Sequence, residues 1–209
     1  MSPLLRRALL GLAGAVPIWA FVFRSRRWDF WTRMSVGAGS LGLYALRVRP
    51  ELRSQVPRRR DVLPGALSAL GLYAIFQAGD RLSRHIMPAG QQDIEDIYQL
   101  RTLAPKGLIA AMLVTVIGPS EELFWRGLVQ EALIERFGTA RGTAAGAVAY
   151  GATHLVTGNL TLTGAATVAG GYWGAEYAWR RRLGSLLVSH ILWDVWIFLI
   201  QPTPTGKQK

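Results

Sequence analysis

The chain has 209 residues, half of them apolar, with a mean hydropathy of +0.21 and a formal net charge of +11. Such a composition excludes an ordinary soluble domain, and the absence of cysteine excludes disulfides, thiolate metal sites and cysteine nucleophiles. The positive charge is mostly arginine, and its placement between apolar windows argues against nucleic-acid binding, because basic loops beside membrane segments hold topology and touch anionic headgroups.

Length alone predicts one domain. Apolar windows at 8–23, 34–46, 62–79, 103–118, 121–137, 143–157, 160–179 and 184–200 approach the ~20 residues needed to cross a bilayer. They predict an all-α fold, a polytopic transmembrane helix bundle of six to eight helices; eight is the favoured count, not all of them full spans. Arg6 and Arg7 followed by LLGLAGAVPIWAFVF have the makeup of a signal peptide. Arginines and tryptophans follow instead of a cleavage site, which predicts a retained first helix. Next come the basic loops RSRR (24–27), RVRPELRSQVPRRR (47–60) and RLSRH (81–85), where His85 is expected to be solvated. GAGSLGLYAL and LPGALSALGLYAIF read as small-residue faces that let helices approach. Segment 91–102, QQDIEDIYQLRT, suits a short amphipathic helix in the interface, with a plain loop as the alternative; Asp93, Glu95 and Asp96 fall on its wet side. Trp28, Trp31, Trp173 and Trp179 flank basic loops as an interfacial aromatic belt. The tail from Gln201 reads as disordered, and no internal repeat is apparent.

Within IAAMLVTVIGPSEELFWRGLVQEALI stand two adjacent carboxylates, Glu121 and Glu122. Each costs roughly 2.5–3.5 kcal/mol at membrane depth, so each needs a partner or a purpose. Glu122 and Arg126 are four apart on a helix and can pair. Glu121 lies about 100° round the helix from Glu122 and is four from no basic residue, which leaves it free for chemistry. Pro119 predicts a helix boundary, with Ser120 as N-cap and both glutamates in a first turn, where the helix dipole offsets their charge. His154, one turn after Tyr150, lies in AGAVAYGATHLV; His190 and Asp194 lie four apart in LLVSHILWDVWIF. Ionisable groups in membrane helices usually face the bundle interior and mark a functional site. Glu121, His154, His190 and Asp194 are thus expected to converge.

The set E-E-x-x-x-R (Glu121, Glu122, Arg126), aromatic-x-x-x-H (Tyr150, His154) and H-x-x-x-D (His190, Asp194) resembles the CPBP family, the CAAX-processing protease and bacteriocin-immunity (Abi) family of intramembrane proteases. The resemblance covers about 103–200. It divides the chain into N-terminal membrane helices and basic loops (1–102), a CPBP-like catalytic helix core (103–200) and a tail (201–209). Tyr150 stands where the family usually has Phe and is expected to keep a stacking role; Asp194 stands where Asn is frequent. The resemblance implies an intramembrane endopeptidase acting on a membrane-associated peptide or protein. Glu121 and His154 would hold and activate a water, His190 and residue 194 would stabilise the oxyanion, and Glu122 with Arg126 would hold the architecture. Hydrolysis needs a base for water and a donor aimed at developing negative charge, so the residue types agree with those roles. An ionised Asp194 cannot donate to an oxyanion, so it is assigned to orient His190.

No cofactor is required on this reading. Zn²⁺ is the alternative, with Glu121, His154 and His190 as ligands, though no H-E-x-x-H is present. The partners expected are the lipid bilayer and a peptide or protein substrate, not nucleic acid. A non-catalytic immunity or binding protein on the same fold is the competing function, followed by a proton or ion transporter. Abundant arginine, alanine and glycine suggest a bacterial inner membrane.

Overall fold

A computed structural model describes residues 1–86 and 90–200, with the side chains of 82–91 left out of the description. The expected disorder of 201–209 and solvation of His85 lie outside the described residues. Eight helices are present among them: α1 Pro3–Arg24, α2 Phe30–Val48, α3 Arg59–Ile86, α4 Gly90–Gln99, α5 Lys106–Phe137, α6 Thr139–Thr153, α7 Leu160–Arg180 and α8 Gly184–Ile200. Among the described residues three stretches are long and apolar enough to cross a bilayer: Pro3–Arg24, Arg59–Arg81 and Lys106–Phe137.

Local sequence explains how these helices begin. Ser2 Oγ accepts from Leu5 N at 3.2 Å ahead of Pro3, whose missing amide costs nothing at a first helical position. Asp29 caps α2 by accepting from Thr32 N at 2.9 Å, and hydrogen bonding from the Thr32 side chain together with that backbone bond holds its carboxyl below the usual range. The loop between them is clamped by the buried Arg33, which donates to the carbonyls of Val22, Arg27 and Trp28. Helix α1 buries Leu5, Ala8, Gly11, Ala15, Trp19 and Val22, spaced by three or four, on one face. Outward stand Leu9, Leu10 and Val16, and on α3 Leu63, Leu67 and Leu70. An apolar exterior of this extent fits lipid, not water.

Helix α5 departs from expectation. Pro119 does not end it: the windows 103–118 and 121–137 form one continuous helix of 32 residues. Wider π-type turns at Leu113–Ile117 and Leu123–Gln130 flank Gly118–Glu122 and absorb the missing proline amide. Ser120 is therefore not an N-cap, and the two glutamates sit mid-helix without help from a helix end. At ~1.5 Å per residue the helix is ~48 Å long, more than the hydrocarbon core needs, so it must tilt or project.

Segment 91–102 is helical, as expected, but Asp93 is not simply wet. It accepts from Thr161 Oγ1 at 2.9 Å, and its carbonyl accepts from Asn159 Nδ2 at 2.9 Å, tying α4 to the start of α7. The aromatic belt also needs correction. Trp28 and Trp179 are exposed, whereas Trp31 and Trp173 are 2% and 1% exposed. Trp31 Nε1 donates to the Leu100 carbonyl at 2.9 Å, and Trp173 belongs to the site described next.

Candidate active site

The residues singled out on three helices meet at one cavity of about 400 Å³. Glu121 comes from α5, Tyr150 from α6, His154 from the 3-10 turn that closes α6, and His190 and Asp194 from α8. The walls are apolar, with Phe23, Trp31, Phe76, Ile97, Trp193 and Phe198 among them. Helices α1 to α4 thus complete a chamber whose polar groups come from the later ones.

Glu122 is the hub. Fully buried, its Oε1 accepts from Arg126 Nη1 at 2.9 Å and from His190 Nδ1 at 2.7 Å. The approach of α5 to α8 that allows this depends on Gly118, where a Cβ would come within 3.2 Å of Ile191 Cγ1. The Arg126 guanidinium lies 5.0 Å from the Tyr150 ring centre and 5.4 Å from that of Trp173, a cation held between two π faces. Among the described residues, Glu122 Oε2 and Arg126 Nη2 are buried without a protein partner.

Both nitrogens of His190 face carboxylates: Nδ1 donates to Glu122, and Nε2 lies 3.5 Å from Asp194 Oδ2. A ring so flanked suits the imidazolium form, with Nδ1 tightly held and Nε2 only loosely. His154 differs. Its Nδ1 is 2.9 Å from the Tyr150 carbonyl, which can only accept, so Nδ1 carries the proton and a neutral ring keeps a lone pair on Nε2. Trp19 and Phe23 pack against its ring at 6.3 and 6.2 Å, and Arg24 Nε donates to the Val156 carbonyl at 2.6 Å, steadying that turn from α1.

Two expectations change. Glu121 is not without a partner: its Oε2 accepts from Tyr150 Oη at 2.7 Å. Tyr150 accordingly does more than stack, since its hydroxyl anchors the carboxylate while its ring packs on Trp125 and His154 at 5.0 and 5.1 Å. Helical spacing within α5 could not reveal a bond made across to α6. Glu121, His154 and His190 do not fit a three-ligand metal set in this arrangement, because both His190 nitrogens are directed at carboxylates. Among the described residues no group of three or more His, Asp or Glu is placed to hold a metal.

Sequence reasoning missed Trp173 as a site residue. Its indole stacks on His190 with ring centres 4.1 Å apart and planes 21° from parallel. Nothing in its local pattern distinguishes it from a lipid-facing tryptophan.

These motifs and their geometry meet a family match. Residues 104–196 match the family described as type II CAAX prenyl endopeptidase Rce1-like. No curated protein and no solved structure matches the chain. The matched segment holds Glu121, Glu122, Arg126, Tyr150, His154, His190 and Asp194, and over that segment the chain is similar to the CAAX prenyl endopeptidases. With three apolar spans, the protein is an integral membrane protein in a lipid bilayer.

Proposed function

We propose that this protein is an intramembrane endopeptidase that hydrolyses a peptide bond of a membrane-associated peptide or protein. One observation carries the reading: an acid, two imidazoles and a second acid share a single cavity with greasy walls. Glu121 takes a proton from a water that the Nε2 lone pair of His154 also holds. The resulting hydroxide adds to the carbonyl carbon, and the carbonyl oxygen becomes an oxyanion. The loosely held Nε2–H of His190 donates to that oxygen, while Asp194 and Glu122 keep the ring charged and oriented. Glu121 then returns its proton to the leaving nitrogen as the C–N bond breaks, giving a new carboxylate and a new amine. Arg126 balances Glu122 and takes no proton.

The mechanism needs no resident metal, because Glu121 supplies the base and a protonated His190, held through Nδ1 by Glu122, supplies the donor. Dialysed protein is expected to hold far less than one zinc per chain and to cleave at full rate; stoichiometric zinc whose removal stops cleavage overturns that part. The arginines at the helix ends serve headgroups and not nucleic acid, and the abundance of arginine, alanine and glycine supports a bacterial inner membrane as the location.

The test uses a fluorogenic farnesylated CAAX-tail peptide with the protein in liposomes, alongside comparison of membrane proteomes from cells expressing wild type or Glu121→Gln. Glu121→Gln and His154→Ala are expected to abolish cleavage while the protein inserts normally. Cleavage by either variant rejects the mechanism. A non-catalytic binding role on the same fold has one observation in its favour, the structural partner Glu121 finds in Tyr150. It predicts no cleavage product in the wild type and a phenotype that survives Glu121→Gln.

A further inference from the structure

Beneath the site runs a second, partly buried polar system that the proposed chemistry does not use. Trp173 Nε1 donates to Ser189 Oγ at 3.0 Å, Ser189 Oγ to Ser68 Oγ at 3.0 Å, and Ser68 Oγ to Glu176 Oε2 at 2.5 Å. The other carboxylate oxygen, Oε1, accepts from Ser185 Oγ at 2.7 Å and from Arg180 Nε at 3.1 Å. Each serine has one hydroxyl proton, so the direction of donation is set along the whole chain: indole to serine to serine to carboxylate. The relay joins α7, α8 and α3. It depends on Gly65, where a Cβ would meet Val188 Cβ at 2.5 Å, and Tyr172 Oη adds a bond to the Ser68 carbonyl at 2.9 Å.

The upper end of this relay is the ring stacked on His190. An indole face is the strongest aromatic partner for a cation, and successive donations toward a carboxylate polarise one another. An indole whose N–H is bound cannot turn out of the stack without stranding a buried donor. We propose that Trp173 is a positioning residue that holds His190 flat and protonated, and that Glu176, acting through Ser68 and Ser189, fixes the orientation of that indole. The inference rests on the reading of His190 as oxyanion donor. The groups facing His190 or its cavity are Glu121, Glu122 and Arg126 from α5, Tyr150 from α6, His154 from the turn that closes it, Asp80 from α3, Tyr98 from α4 and Asp194 on α8 itself. Substitutions at Ser189 and Glu176 leave all of these groups in place, and Trp173→Leu removes one of the two rings beside Arg126, a contact that Trp173→Phe retains.

The chain has only three histidines, so isotope-labelled ring nitrogens give three assignable sites in detergent micelles. The full-length protein is titrated from neutral to alkaline pH as wild type, Trp173→Phe, Trp173→Leu, Ser189→Ala and Glu176→Gln. Trp173→Leu is expected to lower the midpoint at which His190 loses its proton by about one pH unit, roughly tenfold in proton affinity, and to leave His154 unmoved. Trp173→Phe should retain most of the wild-type midpoint, since a ring remains. Ser189→Ala and Glu176→Gln should shift the His190 resonances while leaving the ring in place. In the peptide assay Trp173→Leu should lower kcat with KM little changed, and Trp173→Phe should restore it. Identical His190 midpoints in wild type and Trp173→Leu overturn the proposal. If Trp173→Leu fails to fold, unmoved His190 resonances in both Ser189→Ala and Glu176→Gln overturn it instead. The nitrogen shifts need no substrate, so a protein that cleaves nothing refutes the protease reading and leaves this test standing.

Discussion

Replacing Arg126 with methionine tests the electrostatic centre of the site. Arg126 and Glu122 form an ion pair whose side chains are 2% and 0% exposed. Removing Arg126 leaves the buried Glu122 with His190 in place of two cationic partners, and breaking such a pair costs ~3–5 kcal/mol. Loss of the cation from between Tyr150 and Trp173 adds ~0.5–2 kcal/mol for each ring, although these contributions share atoms and do not sum. A net loss of ~3–6 kcal/mol follows. At ~2–4 °C per kcal/mol for a chain of this size, the apparent Tm should fall by ~6–24 °C. The eight tryptophans make intrinsic fluorescence a convenient readout in detergent micelles at a fixed scan rate. Combining Glu122→Gln with Arg126→Met removes both charges and should recover more than half of the loss, because His190 keeps Asp194 as its counter-charge. A Tm change of under ~4 °C for Arg126→Met, about 1 kcal/mol, refutes the reasoning. So does a double variant no more stable than Arg126→Met alone.

Two further outcomes follow from individual bonds. Tyr150→Phe keeps the ring beside Arg126 and Trp125 but deletes the hydroxyl that donates to Glu121; stability should drop by ~1–3 kcal/mol and cleavage by about tenfold or more with unchanged KM, whereas wild-type stability and rate would show that the bond is idle. Asp29→Ala removes the α2 cap at a cost of about 1 kcal/mol. Because the Asp29 carboxyl is held below its ordinary 3.8 by the Thr32 side-chain and backbone hydrogen bonds, that contribution is fully present above the unfolded value and is lost as pH falls through the lower folded one. The Tm gap between wild type and Asp29→Ala should therefore persist at neutral pH and close below about pH 4; a gap that widens in acid contradicts the capping role.

Much of the molecule is legible in its residues because a bilayer penalises polar groups so heavily. Apolar runs of membrane length announce helices, and every carboxylate or imidazole left inside them stands out as needing a reason. Glu122 with Arg126, and His190 with Asp194, are within-helix pairs at four-residue spacing, so their contacts follow from helical geometry alone. The convergence of Glu121, His154 and His190 follows from the cost of facing lipid. Pro119 misleads because its local rule assumes a regular α-helix, whereas wider turns on either side let the chain pass through. Contacts between helices carry no signature in spacing. Tertiary packing alone decides that Tyr150 holds Glu121, that His190 is shared by Glu122 and Asp194, and that Trp173 lies beneath the ring and not at the membrane surface. Helical periodicity says which residues share a face; only the close approach of α5, α6, α7 and α8 determines which faces meet.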